Sequence, residues 1–230
     1  MENIQIFWKH FFEYEGYKNF LKGLSNTATI AVFGLLIGFL LGCIIATVKI
    51  IPGKNPIVKV FQAICDIYVA LFRGTPMVVQ LLLMHFAVFP ILNVEMESVT
   101  EAVIIFGMNS AAYMSEILRG GINAVDRGQM EAGRSLGFGF TQTMLRIILP
   151  QAIKNILPTL GNEFIALIKE TSVVSFIAVL DVTKSFQNIA ASTYEYFVPY
   201  IALAIVYLVL VLFITALIKL MEKRLAKNER

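Results

Sequence analysis

The chain has 230 residues, of which 57% are hydrophobic and only 15% charged, with a mean hydropathy of +0.74. A soluble domain of this length carries about a quarter charged residues, so an ordinary water-soluble protein is excluded. The formal net charge of +3 excludes little by itself, and the placement of the charges says more.

The N-terminal stretch Phe7-Trp8-Lys9-His10-Phe11-Phe12-Glu13-Tyr14 mixes aromatic rings with charges, a composition suited to the bilayer interface. Gly23 to Val48 then runs 26 residues without a charge. A helix needs about 20 residues to cross a hydrocarbon core, so this is a membrane span, and it is too long and begins too late for a cleaved secretory signal. Cys43 and Cys65 each sit inside an apolar segment and read as packing residues, not as a disulfide or metal pair.

Apolar length places spans near 24–48, 57–92, 100–118, 159–181 and 196–218. The second is broken at Phe72-Arg73-Gly74-Thr75-Pro76, where proline removes a donor and disfavours helical geometry at Thr75. It is either one kinked span or two short ones. We favour one, hence five spans, because the piece before Arg73 is short and contains Asp66. Lys and Arg concentrate on the cytoplasmic side of membrane proteins. With the N-terminus outside, Lys49, Lys54, Lys59, Arg119, Arg127, Arg134, Arg146, Lys154, Lys219, Lys223, Arg224, Lys227 and Arg230 are internal, against Lys9, Lys18, Lys22 and Lys184 outside. Splitting the second span gives a similar bias. Both arrangements put 119–157 and the C-terminus in the cytoplasm of a multi-pass membrane protein, with one domain over 1–230.

The inner loop 119–157 has helical local chemistry. Asp126 followed by Gln129 fits a variant of the capping box. Gly137 and Gly139 can close that helix after about ten residues, and a second short helix from Thr141 is expected to end before Pro150. The loop contains Glu131-Ala132-Gly133, then Gly137, then after nine residues Ile147-Ile148-Leu149-Pro150. This spelling resembles the EAA loop of binding-protein-dependent ABC importer permeases, with Gly133 standing where the pattern usually has alanine. Arg73-Gly74-Thr75-Pro76-Met77-Val78-Val79-Gln80-Leu81, Ala112-Tyr113-Met114-Ser115-Glu116-Ile117-Leu118-Arg119-Gly120-Gly121-Ile122 and Leu157-Pro158-Thr159-Leu160-Gly161-Asn162-Glu163-Phe164, with Lys169-Glu170-Thr171-Ser172 after it, resemble permeases for polar amino acids of the histidine, glutamine and arginine type.

That resemblance implies an all-α integral membrane protein of the type I ABC importer permease fold, with about five transmembrane helices and a cytoplasmic coupling helix. Gln129, Glu131, Ala132, Gly133, Ser135, Leu136 and Gly137 would then meet the ATPase. It implies as partners a second permease copy or paralogue, two cytoplasmic ATPase subunits and an extracytoplasmic solute-binding protein, in a bacterial cytoplasmic membrane and without nucleic acid. The chain has no G-x-x-x-x-G-K-[S/T] phosphate loop. It therefore carries no cofactor itself in this reading, ATP and Mg being bound by the partner ATPase, and it is a transport subunit, not an enzyme.

Ionisable groups inside a span are costly and default to functional candidates. Asn162, Glu163, Lys169 and Glu170 fall within about 120° of the fourth helix at 100° per residue. One reading is an ion pair that holds helices together. The other is a zwitterion site with Glu163 facing a substrate's distal cation, which favours arginine, lysine or histidine over glutamine. Arg73 either caps the break or meets the substrate carboxylate, and Gln80 and His85 either line the path or bond across helices. A channel or ion-coupled carrier that works without an ATPase is the competing class.

Overall fold

The computed structural model describes residues 2–51 and 55–227. Lys54 and Arg230, counted among the internal charges, lie outside the described residues. A short helix α1 (Glu2–Trp8) runs through a π-helical turn (Lys9–Glu13) to α2 (Gly16–Ile50), which is 35 residues long. Then follow α3 (Pro56–Gly74), α4 (Met77–Leu83), a π-helical turn (Met84–Val88) and α5 (Phe89–Ile91). The second half comprises α6 (Ser98–Asn123), α7 (Arg127–Ser135), α8 (Phe140–Thr143), a π-helical turn (Met144–Ile148) and α9 (Leu149–Glu170). A 3-10 turn (Thr171–Ile177), α10 (Val182–Thr193) and α11 (Phe197–Lys227) complete the chain. No strand occurs among the described residues.

The burial pattern is inverted relative to a soluble protein. Leu36, Leu40 and Ile44 on α2, Phe61, Ile64 and Ile67 on α3, and Leu208 and Leu212 on α11 are all exposed. Polar Asn109, Ser110 and Ser115 are buried on α6. Lipid is as apolar as leucine, so apolar faces turned outward cost nothing there, and the polar groups seek partners inside. α2 and α11 are long and apolar enough to cross a membrane, and α3 with 77–91 reaches that length and composition only as a bent pair, the form of a broken span or a re-entrant loop. α6 and α9, at 26 and 22 residues, are also long enough to cross, but α6 carries the buried polar groups and α9 carries Asn162, Glu163, Lys169 and Glu170.

Small residues set the helix spacing. Gly34, Gly38 and Gly42 form a stripe at i, i+4, i+8 on α2 that presses against α6. A Cβ on Gly38 would stand 2.6 Å from the Ser110 side chain, and one on Gly42 would stand 2.5 Å from the Met114 Cβ. Backbones approach this closely only where side chains are absent. Gly121 does the same for Ile156 of α9, and Gly161 for Ile218 of α11. The core that results joins Ile30 and Ala31 of α2, Leu81 of α4, Ile105 and Phe106 of α6, and Leu167 and Ile168 of α9.

The segment 57–92, expected as one kinked span or two short ones, turns its axis by 108° at Thr75-Pro76. Three sequence expectations need correction. The fourth span does not cover 159–181: its helix begins at Leu149, continues through Pro158 and ends at Glu170. The helix after Gly139 does not stop before Pro150. Leu149 N–H bonds to Met144 O, five residues back, just before the proline. Widening the helix to this i→i−5 pattern relieves the clash between a proline ring and the preceding turn. Pro90 follows the π-helical turn at Met84–Val88 in the same way. Lastly, α10 was not expected. Asp181, fully buried at 0% exposure, caps it by accepting from Thr183 N at 3.0 Å and Lys184 N at 2.7 Å, with the Leu180 carbonyl taken by Asn26 at 2.8 Å.

Candidate functional site: a charged seam between three helices and a helical knuckle

Two regions hold the candidate residues. The first lies where α3, α6 and α9 meet. The break after α3 leaves carbonyls without helical donors, and Gln80, 5% exposed, supplies them. Its Nε2 donates to Phe72 O at 2.8 Å, Thr75 O at 3.0 Å and Thr75 Oγ1 at 2.8 Å. Its Oε1 accepts from Asn109 Nδ2 at 2.8 Å. Gln80 therefore pins the bend to α6, and its amide faces backbone and Asn109. His85 is likewise engaged across helices, with Glu101.

Below the bend, Arg73 projects toward α6. Its guanidinium lies 5.4 Å from the Tyr113 ring centroid and 4.0 Å from Glu116 Oε2. Glu116 is held more tightly by Arg119 at 2.5 Å and Lys49 at 2.7 Å, and Lys49 reaches Asp66 at 2.9 Å. The expected Glu116–Arg119 pair is thus present, inside a network that ties α2, α3 and α6. One turn away, Ser110 Oγ donates to Glu163 Oε1 of α9 at 3.4 Å. Asn162 is exposed beside it.

The four polar residues of α9 do not share one environment. Lys169 lines a cavity with Ser172, Thr183, Tyr200 and Tyr207, where the Thr183 and Tyr207 hydroxyls pair at 3.0 Å. Glu170 ends the helix and is exposed. No ion pair joins Lys169 to Glu170 among the described residues. Sequence reading overlooked Asn109, Ser110 and Lys49, although Asn109-Ser110 is a polar pair in the middle of a span, which is itself a signal. Among the described residues no group of three His, Cys, Asp or Glu side chains could hold a metal ion.

The second region is the knuckle. Asp126 caps α7 by accepting from Gly128 N at 2.7 Å. Gly137, at φ +87°, closes it: Gly137 N–H bonds to Arg134 O at 3.0 Å and Phe138 N–H to Gly133 O at 3.1 Å. This paired closure with a left-handed glycine is a Schellman motif. Gly133 is buried, and a Cβ there would come within 2.5 Å of Thr143 Cγ2, so glycine at this position lets α7 sit directly on α8. Gln129, Glu131, Ala132 and Ser135 stay exposed, and Leu136 is 76% exposed.

The family described as the inner membrane component of binding-protein-dependent transport systems matches residues 34–227. The chain belongs to this family. The permease is 40% identical to the arginine transport system permease protein ArtQ of Bacillus subtilis, over 91% of this chain and 93% of that one. It is 36% identical to a putative glutamine transport system permease protein, GlnP, of Rickettsia typhi, over 90% and 93% of the two chains. Its fold superposes on the crystal structure of an amino acid ABC transporter with histidines at a TM-score of 0.83 and 40% identity, covering 92% of this chain and 96% of that one. It also matches the MetNI methionine ABC transporter at a TM-score of 0.75, where 15% identity speaks for the fold alone. The permease is thus an all-α, multi-pass transport subunit of an ABC importer, not an enzyme.

Proposed function

We propose that this permease moves a polar amino acid, of the basic class, through a pathway beside α9, with Glu163 receiving the substrate's distal cation. The observation that carries the reading is a carboxylate half-buried in the membrane-spanning bundle, with a neutral serine as its bonded neighbour and the arginine-transport likeness behind it. A carboxylate in that setting attracts a cation strongly, because little water screens it. Asn162 offers an amide beside it for the polar end of the ligand. Glutamine remains the second reading, favoured by the likeness to glutamine permeases; there Asn162 would carry recognition in place of Glu163.

In this reading, residues 1–230 form one transmembrane domain with the 119–157 loop inside it and the C-terminus in the cytoplasm. The exposed face of α7, with Glu131, Ser135 and Leu136, docks on a cytoplasmic ATPase that binds ATP and Mg. Two permease subunits enclose the path, two ATPases drive it, and a solute-binding protein delivers the solute from outside. ATP binding favours one of two permease states and thereby shifts their populations.

Binding of labelled arginine to the purified permease–ATPase complex, competed with each amino acid, tests the substrate. Arginine, lysine and histidine should compete well, and Glu163→Gln should weaken arginine binding about tenfold or more, the scale of one lost charge pair. Preferential competition by glutamate would overturn the basic assignment, and preferential competition by glutamine would transfer it to the second reading.

A further inference from the structure

The knuckle holds a cavity of about 330 Å³ where the last turn of α6, the first turn of α7 and the π-helical turn before Pro150 come together. Among its lining residues Val125 and Ile148 are buried, and Met130 and Met144 pack against them. Asn123 and Arg127 also line it and are exposed. A well-packed interior leaves few voids larger than one water, and about 150 Å³ of apolar space suffices to hold a benzene ring. The cavity is therefore too large for a packing gap and large enough for an aromatic side chain.

The outward leucines of α2 and α11 meet lipid. The knuckle is different, because it follows the end of α6 on the side where Arg119, Arg127, Arg134 and Arg146 gather, and there the surroundings are water. An open cavity with an apolar lining costs free energy in water in proportion to its apolar area, and an apolar group from another molecule relieves that cost.

The fold points to the molecule that supplies it. Arg127, Glu131 and Arg134 fall on one i, i+4, i+7 row of α7 and all three are exposed, so the cavity adjoins the face assigned above to the ATPase. Arg127 forms no ion pair among the described residues, which leaves its guanidinium for a carboxylate of that subunit. Met130 and Met144 are adaptable, and their thioethers make favourable contacts with aromatic rings. Aromatic side chains seated in pockets also carry much of the energy of protein interfaces.

We propose that this cavity is the socket for one aromatic side chain of the cytoplasmic ATPase, with a neighbouring carboxylate of that subunit meeting Arg127. This rests on the docking reading above and adds a mechanical device to it. A flat contact on α7 transmits a push, whereas a side chain held in a socket also transmits a pull. Its walls are the roots of two spans: Asn123 ends α6, and Ile148 immediately precedes α9. These are the helices that meet at Ser110 and Glu163, so motion of the anchored side chain acts on both partners of that contact.

The test is the Kd of the purified ATPase for the full-length permease in lipid nanodiscs. Asn123→Trp crowds the cavity and should weaken binding about tenfold to thirtyfold, the scale of one lost anchor. Asn123→Ala, which leaves the socket open, should stay within about twofold of wild type, as a near-neutral rim position does. In a background without Cys43 and Cys65, Met144→Cys should react with a water-soluble maleimide in the free permease and be protected once the ATPase binds. Should Asn123→Trp fail to insert, Met130→Phe crowds the cavity from α7 and provides the same readout. Unchanged binding in Asn123→Trp, equal weakening in Asn123→Ala, or a Met144→Cys thiol that the ATPase leaves reactive would overturn the socket. Loss of binding in Glu131→Arg alone would remove the socket and keep the docking face, whereas full binding in both Glu131→Arg and Asn123→Trp would overturn the docking reading beneath it.

Discussion

Gln80 shows how one side chain can serve the backbone in a membrane. The turn of 108° at Thr75-Pro76 strands carbonyls that water would satisfy in a soluble protein. Here Gln80 takes up Phe72 O, Thr75 O and Asn109 together. Gln80→Ala leaves the Phe72 carbonyl short of its main donor and the Asn109 amide without its best acceptor. The cost is about 1–3 kcal/mol for each buried group stranded. The purified complex should therefore unfold at a lower temperature, and Gln80→Glu, which supplies no NH2, should not restore it. Equal thermal stability of Gln80→Ala and wild type would remove Gln80 from the support of the bend.

At the scale of elements, the glycine stripe of α2 fixes where α6 lies and hence where Ser110 meets Glu163. Gly38 touches Ser110 itself. Gly38→Val forces branched carbons into a contact already filled. Overpacking of this kind costs about 1–3 kcal/mol and pushes α6 outward at the turn that holds Glu163. Arginine binding should weaken together with stability, whereas Gly120→Ala, a site with open space around it on the same α6, should leave both unchanged. Arginine binding unaltered by Gly38→Val would show that the spacing of α2 and α6 is not what positions Glu163.

Across the whole molecule, the exposed face of α7 and the aromatic segment of α1 are two surfaces whose surroundings experiment can probe. Glu131→Arg reverses a charge on the exposed face of α7 while leaving its caps intact. Co-purification of the ATPase should fall severalfold as an interfacial charge is reversed, with the permease still inserted at wild-type levels. Retained ATPase and unchanged uptake would favour a carrier that works alone. At the other end, Trp8 is the only tryptophan. It stacks on Phe12 at 5.0 Å and is exposed, while the adjacent Phe7 packs into α10 through Phe186 at 6.3 Å. Trp8 fluorescence should be quenched by lipids brominated near the headgroup more than by lipids brominated at the chain end, as an interfacial ring requires. Quenching by the aqueous quencher iodide alone would place α1 off the membrane.

The sequence by itself determined that the chain is a membrane protein, where its long apolar segments lie, and that 126–137 is a capped helix ending at a glycine. Those features are local: a run without charges, Asp126 as an N-cap and Gly137 at a left-handed φ each act within a few residues. The motif spelling was also enough to place the chain among importer permeases. Where helices start and stop around prolines was decided by the fold, because the π-helical turns before Pro90 and Pro150 absorb a clash that a local rule treats as a break. So too was the split of the polar face of α9, with Glu163 turned to Ser110 and Lys169 to Tyr207. Angular position on a helix says which residues share a face, but only the neighbouring helices decide what that face meets.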